Sequence, residues 1–305
     1  MNMKRNFSVN RLVLPSPAKI NLFLAITGRR TDGFHDLVSV VAPVDFGDML
    51  EIETTEGAAG VFTLGCDDPA LEVDGTNLVL RAARAFAAAS GWTGGARFSL
   101  KKRIPMGAGL GGGSSNAAAT LRGLNTLAGR PLTDARLAEI AAQLGSDCVL
   151  FLQGGPVVMR GRGERVERLP DEARRRLSGR RALIFKPGFS ISTVWAYRRM
   201  AAEEPRWYLP AEQAEAKLAD WLASADARAE ELLFNNMEGP AFAKYVALPV
   251  LLDVLRAEFG LAPRMSGSGS ACFVLLPDGA AAAPIMARIR EYWGEEAFVV
   301  EARLG

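Results

Sequence analysis

The segment Pro105-Met106-Gly107-Ala108-Gly109-Leu110-Gly111-Gly112-Gly113-Ser114-Ser115-Asn116-Ala117 decides the prediction of the fold. Five of the seven residues from Gly107 to Gly113 are glycine, two serines follow, and a helix-forming alanine run comes next. A glycine backbone can approach an anion closely, and the first N–H groups of a helix have no intrahelical partner. The segment therefore predicts a phosphate-binding loop that opens a helix.

Three interpretations of this loop compete. A flexible glycine-serine connector is disfavoured because it runs straight into a helix. A dinucleotide loop is suggested by Gly107, Gly109 and Gly112, which satisfy G-x-G-x-x-G, but residues 97–104 are half charged and suit an antiparallel sheet better than a buried parallel strand. The third interpretation is a mononucleotide loop outside the P-loop class, since no Gly-Lys-Ser/Thr follows. A kinase of this kind needs its positive charge from elsewhere in the chain.

The composition is that of an ordinary globular protein of about two domains. The chain has 305 residues, 49% of them hydrophobic, and a net charge of +2, which disfavours a nucleic-acid partner. The three cysteines form no C-x-x-C pair and predict neither a disulfide framework nor a zinc site. We expect no signal peptide, no membrane segment and a cytoplasmic location.

The pattern of strands and helices has no steady βαβ rhythm, so we predict an α+β fold with a domain boundary near Pro170. The predicted domains are 1–170 and 171–305. Extended segments are expected at 12–26, 36–53, 97–104, 157–159, 182–185, 272–276 and 297–300. Helices are expected at 74–89, 114–128, 133–145 and 281–293, with several more within 193–258.

A lysine in apolar sequence is the second informative feature. Within Pro17-Ala18-Lys19-Ile20-Asn21-Leu22, alternation along a strand places Lys19 and Asn21 on one face. A snorkelling lysine at a sheet edge is the plain alternative. Asn21 needs a partner if it is buried, which favours an ammonium fixed at a functional site.

Three further segments carry candidate side chains. The chain's one histidine lies in the turn Gly33-Phe34-His35, where an aromatic ring and an imidazole could clamp a flat base, although a surface histidine is the plain alternative. Asp147 lies between a helix end and an apolar run, and could either cap a turn or deprotonate an alcohol. A second glycine-serine loop, 266–271, leads into a strand.

Together these segments resemble the GHMP kinase superfamily, whose members phosphorylate small alcohols and acids with ATP. The three family motifs match 17–21, 105–117 and 266–271 in order, and the resemblance spans nearly the whole chain. It implies an N-terminal domain like the second domain of ribosomal protein S5, a ferredoxin-like C-terminal domain and an active site in the cleft between them.

The resemblance also implies roles for individual residues. Lys19 and Asp147 match the catalytic pair, and Asn21 matches a neighbouring substrate-binding residue. Phe34 and His35 match an aromatic-histidine pair that holds a cytosine, which implies a small-molecule substrate carrying a cytidine diphosphate group. Lys186 and Pro187 match the substrate-side loop of the second domain. Residues 105–116 and Asn77 match the ATP site, and Mg²⁺ is expected on Ser114 or Ser115.

The resemblance leaves several alternatives open. Another GHMP branch, such as a mevalonate or homoserine kinase, is opposed by the Phe34-His35 turn, because those acceptors carry no base. A dinucleotide-dependent oxidoreductase rests only on the glycine pattern. A non-catalytic nucleotide-binding module would leave Lys19 and Asp147 unexplained. The expected state is a monomer or a homodimer.

Overall fold

The computed structural model describes residues 11–55 and 60–305, and packing divides the chain into two compact units built from interleaved segments. Among the described residues, unit 1 contains 11–17, 47–55, 60–104 and 112–152. Unit 2 contains Ala18–Phe46, Pro105–Gly111 and Gln153–Gly305. The division into domains 1–170 and 171–305 stays a prediction.

Strands and helices alternate irregularly along the chain, which confirms the α+β class. The strands are β1 Arg11–Arg29, β2 His35–Thr55, β3 Phe62–Cys66, β4 Gly95–Lys101, β5 Val157–Gly161, β6 Arg165–Arg168, β7 Arg181–Lys186, β8 Phe234–Asn235, β9 Arg264–Met265, β10 Cys272–Leu275 and β11 Phe298–Arg303. The helices are α1 Leu78–Ser90, α2 Gly112–Leu127, α3 Asp134–Leu144, α4 Asp171–Leu177, α5 Thr193–Ala202, α6 Ala211–Ala223, α7 Ala229–Leu232, α8 Glu238–Lys244, α9 Ala247–Phe259 and α10 Ala282–Trp293.

Unit 1 packs three helices with a sheet. The second half of β2 pairs antiparallel with β4, from Met49 opposite Lys101 to Thr55 opposite Gly95, and β3 runs parallel to β4. Helices α1, α2 and α3 pack against one another. At Gly123 an added Cβ would lie 2.3 Å from Ile52 Cδ1, so glycine allows α2 to approach β2 closely.

Two predicted boundaries in unit 1 are wrong, each because a side chain takes the backbone N–H groups. Helix α1 begins at Leu78 rather than at 74, because the Asn77 side chain accepts a hydrogen bond from Val79 N and caps the helix. The strand predicted for 97–104 ends at Lys101. Beyond it, the N–H groups of Arg103 and Ile104 donate to Asp48 Oδ1 instead of to a neighbouring strand.

Unit 2 contains the first half of β2, which pairs antiparallel with β5, and a parallel pair in which Phe23 of β1 lies opposite Phe234 of β8. A separate four-stranded sheet has the order β11-β7-β10-β9, with all of its pairs antiparallel. Its core buries side chains of β7 and β10 with those of α9 and α10. No helix within the described residues is both long enough and apolar enough to cross a membrane.

Candidate active site

Two glycine loops that are about 160 residues apart in sequence contact each other in unit 2. Ala271 N donates to Ala108 O at 3.1 Å, and Ser266 Oγ donates to Gly109 O at 3.3 Å. A Cβ added at Gly109, where φ is +76°, would lie 2.4 Å from Ser266 O. Glycine is therefore required at this position by the close approach of the other loop as well as by its φ.

The predicted Lys19 lies where these loops meet β1. Its backbone N–H donates to Leu110 O at 3.0 Å, and its side chain is only 4% exposed. The ammonium donates to Asn21 Oδ1 at 2.6 Å. A Cβ added at Gly267 would lie 3.4 Å from Lys19 Nζ. The three segments predicted to act together therefore converge on one buried ammonium.

A serine that the sequence analysis missed orients Asn21. Asn21 Nδ2 donates to Ser39 Oγ at 3.0 Å, and Ser39 Oγ donates in turn to Phe23 O at 2.6 Å. With Nδ2 held in this way, Oδ1 is directed to the ammonium of Lys19. The available signal was that Ser39 is the polar residue in an apolar stretch of a buried strand.

The predicted pair Phe34 and His35 differ in exposure. Phe34 is 55% exposed, and the guanidinium of Arg162 lies 4.7 Å from its ring centre. His35 is buried, and its ring centre lies 4.8 Å from that of Tyr197 and 5.9 Å from that of Tyr208. Phe34 belongs to the turn before β2, whereas His35 is the first residue of that strand.

The surroundings of His35 favour the neutral form of its imidazole. Burial lowers its pKa, the neighbouring charge of Arg29 lowers it further, and Glu204 opposes the shift. The Nε2 atom is buried and has no hydrogen-bond partner among the described residues. An imidazole with an unused polar edge beside two tyrosine rings is suited to bind a flat heterocycle. Tyr197 and Tyr208 were not predicted from the sequence.

The predicted substrate residues Lys186 and Pro187 begin a loop after β7, and both are buried. Lys186 Nζ donates to Pro187 O at 3.0 Å and to Phe189 O at 2.9 Å, and burial lowers the pKa of this ammonium. Ser270 Oγ also donates to Phe189 O, at 2.6 Å. Lys186 therefore supports the backbone of the loop.

In unit 1, the N-terminus of α2 presents the remaining predicted phosphate-loop residues. Ser115 is nearly fully buried, and its hydroxyl has no hydrogen-bond partner among the described residues. Oδ1 of Asn116 is likewise buried without a partner, whereas Nδ2 of Asn116 donates to Asp48. The first turn contains no acidic residue, which favours an anion at this helix end.

The turn that carries Asp147 lies beside this helix end. In this turn, Cys148 N donates a hydrogen bond to Gly145 O at 3.1 Å. The side chain of Asp147 is partly exposed. The side chains of Cys148 and Ser114 are hydrogen-bonded, and burial raises the pKa of the Cys148 thiol to about 11. Cys148 is therefore an inert buried contact that connects the turn of Asp147 to Ser114.

The predicted ATP residue Asn77 has a structural role. Its Oδ1 accepts from Val79 N, and its Nδ2 donates to Glu72 O at 2.7 Å. Both ends of the amide are therefore engaged in shaping the start of α1. A contact between Asn77 and a nucleotide stays a prediction.

Two family models match parts of the chain. Residues 77–156 match the GHMP kinases N terminal domain, and residues 212–295 match the GHMP kinases C terminal domain. A 4-diphosphocytidyl-2-C-methyl-D-erythritol kinase from Synechococcus sp. (strain CC9902) is 40% identical over 276 residues, which cover 88% of each chain.

Solved structures agree with both the class and the branch. A crystal structure of 4-(cytidine 5'-diphospho)-2C-methyl-D-erythritol kinase is similar with a TM-score of 0.76 and 35% identity, covering 96% of this chain and 100% of that one. A homoserine kinase from Cytophaga hutchinsonii, 17% identical, shares the fold with a TM-score of 0.75, covering 100% of this chain and 97% of that one.

The fold and the converging loops define a kinase of the GHMP class, for which ATP is the phosphate donor. Within that class, the chain belongs to the family of 4-diphosphocytidyl-2-C-methyl-D-erythritol kinases.

Proposed function

We propose that this enzyme transfers the γ-phosphoryl group of ATP to the 2-hydroxyl of 4-diphosphocytidyl-2-C-methyl-D-erythritol, giving the 2-phosphate and ADP. The observation that carries the proposal is the buried Lys19 ammonium at the junction of β1 with both glycine loops. Phosphoryl transfer depends mainly on positioning and charge stabilisation, and a buried ammonium held by a fixed acceptor provides both.

The two candidate catalytic residues take different parts in this reaction. Lys19 stabilises negative charge on the transferred phosphoryl group. Asp147 accepts the proton of the attacking hydroxyl as the new O–P bond forms and the bond to ADP breaks. Residues 105–116 bind the ATP phosphates through backbone N–H groups and the N-terminus of α2.

The acceptor substrate binds through its cytosine base and through its erythritol part. The neutral imidazole of His35 hydrogen-bonds the cytosine edge, and the rings of Phe34 and Tyr197 supply stacking surface. Asn21 binds the erythritol part beside Lys19. The loop that starts at Lys186 and Pro187 lies on the substrate side of the site, and the buried Lys186 ammonium fixes its backbone.

Mg²⁺ fits the residues at the start of α2. Among the described residues, no three His, Cys, Asp or Glu side chains are grouped to hold a metal ion. Mg²⁺ commonly keeps several waters and binds through substrate phosphates plus one or two protein oxygens, and a serine hydroxyl is such an oxygen. Ser114 is the more accessible of the two candidates, and the hydroxyl of Ser115 has no partner in the described part of the chain. Bound there, Mg²⁺ would neutralise phosphate charge.

The proposal is tested by incubating the protein with ATP, Mg²⁺ and 4-diphosphocytidyl-2-C-methyl-D-erythritol and following the reaction by phosphorus NMR. A new monophosphate resonance on the erythritol part is expected. Asp147→Asn should lower turnover by at least about 10²-fold, whereas Asp226→Asn, at an exposed position, should not change it. ATP binding without transfer would reject this acceptor, and mevalonate and homoserine would be tested next.

The cytoplasmic location and the monomeric or homodimeric state also belong to this proposal. Size-exclusion chromatography with light scattering measures the second of them directly.

A further inference from the structure

Unit 1 contains a completely buried carboxylate. Asp48, in β2, is 0% exposed. Its Oδ1 accepts hydrogen bonds from the backbone N–H groups of Arg103 and Ile104, at 2.7 and 2.8 Å. Its Oδ2 accepts from Lys102 Nζ at 2.8 Å and from Asn116 Nδ2 at 3.1 Å. All four donors come from the residues just before the first glycine loop or from the helix just after it.

Lys102 completes this arrangement. Its side chain is 7% exposed, and its ammonium also donates to Ile104 O at 2.5 Å. A Cβ added at Gly112 would lie 3.2 Å from Lys102 Nζ and 3.2 Å from Ile104 Cγ2. Residue 104, where the loop begins, therefore packs against residue 112, where the helix begins.

Stability alone does not account for such a pair. Burying two charges carries a desolvation cost that their attraction often fails to exceed, and an apolar pair of similar size is frequently as stable. A buried carboxylate with four fixed donors does impose one geometry on everything bonded to it. Here the fixed parts are both segments that flank residues 105–111 and the start of α2, where the Ser115 hydroxyl has no partner among the described residues.

We propose that Asp48 and Lys102 are positioning residues that hold the two ends of the phosphate loop in the ATP-binding geometry. This inference rests on the proposed function, in which residues 105–116 bind the phosphates of ATP. Asp48 acts through its partners and does not itself contact the nucleotide.

Asp48→Asn tests this role with little change in volume. The new amide retains Oδ1 but directs N–H groups at two donors, Lys102 and Asn116, so both bonds are lost. We measure binding of ADP and, separately, of CDP to the intact protein by calorimetry. The dissociation constant for ADP should rise at least about tenfold, and that for CDP should stay within about twofold. Hydrogen exchange should accelerate in 102–117 and not in α1.

Glu51→Gln is the matched control, because it removes a carboxylate from the same strand in an exposed ion pair with Arg11 and should leave both affinities unchanged. If Asp48→Asn does not fold, the double variant Asp48→Asn/Lys102→Gln is used in its place, because it removes both buried charges together. Unchanged ADP binding, or an equal loss of ADP and CDP binding, would overturn the proposal.

The two proposals can fail separately. A wild-type protein that binds ADP but transfers no phosphate to the acceptor contradicts the proposed reaction and leaves the role of Asp48 testable through ADP binding. A wild-type protein that transfers phosphate, with an Asp48→Asn variant that binds ADP normally, contradicts only the positioning role.

Discussion

The ammonium of Lys19 donates to Asn21 Oδ1 at 2.6 Å, and both side chains are almost completely buried, at 4% and 6% exposed. The orientation of Asn21 depends on Ser39, which accepts from its Nδ2. The position of the proposed catalytic charge therefore depends on Asn21, which accepts from the ammonium directly, and on Ser39 of the neighbouring strand, which holds Asn21.

Asn21→Leu should lower kcat/KM by between about 10- and 100-fold, because a hydrogen bond to a charged group contributes roughly 1.5–3 kcal/mol. Ser39→Ala is the matched comparison, since it removes only the neutral bond on the far side of the amide and should have a smaller effect. Steady-state kinetics of both variants measure the difference. Equal effects of the two substitutions would show that Asn21 does not act through Lys19.

Gly109→Ala should lower kcat/KM by about 10²-fold, because its Cβ would push the phosphate loop away from Ser266 O, and displacements of about 1 Å can have effects of this size. Gly279→Ala has nearly the same positive φ, +75°, and nothing within 4 Å of an added Cβ. Both variants should lose about 1–2 kcal/mol of stability from the backbone. Activity should fall only in the first, and an equal fall in both would contradict this account.

The pKa of His35 should lie below its usual value of 6.5, because burial and Arg29 both favour the neutral imidazole. Between the folded and the unfolded pKa values, the unfolded chain binds more protons, so stability should rise with pH through this window and level off above 6.5. Since the chain has one histidine, a proton NMR titration reports this pKa directly. His35→Gln should remove the dependence, and a pKa at or above 6.5 would refute the prediction.

Lys186→Met should change how stability depends on alkaline pH. The folded pKa of Lys186 is lowered by burial, so the unfolded chain binds more protons between that pKa and 10.5, and wild-type stability gains a contribution as pH rises through this window. Urea unfolding at pH 7.5 and pH 10 gives the free energy of unfolding of wild type and variant. The difference, wild type minus variant, should be larger at pH 10 by this contribution. The exposed Lys217→Met should show no such difference.

The converging segments could be predicted because each carries a strong local signal. A glycine run before a helix, a lysine among apolar residues and a second glycine-serine loop are visible without coordinates, and the order of these motifs indicated the kinase class. The limits of α1 and β4 could not be predicted, because Asn77 and Asp48 compete with secondary structure for backbone N–H groups. Such competition depends on which side chain is nearby in space.

The sequence by itself therefore determined the class of fold and predicted a phosphate loop, because both depend on local backbone freedom and hydrophobic periodicity. The resemblance of its motifs to the kinase family supplied the candidate catalytic residues. Only the tertiary structure decided that Ser39 orients Asn21, that Tyr197 and Tyr208 lie beside His35, and that Asp48 ties Lys102 to Asn116. The contacting partners in these sets are between 18 and 173 residues apart in sequence. Their proximity is a product of chain packing, and no local pattern of residues encodes it.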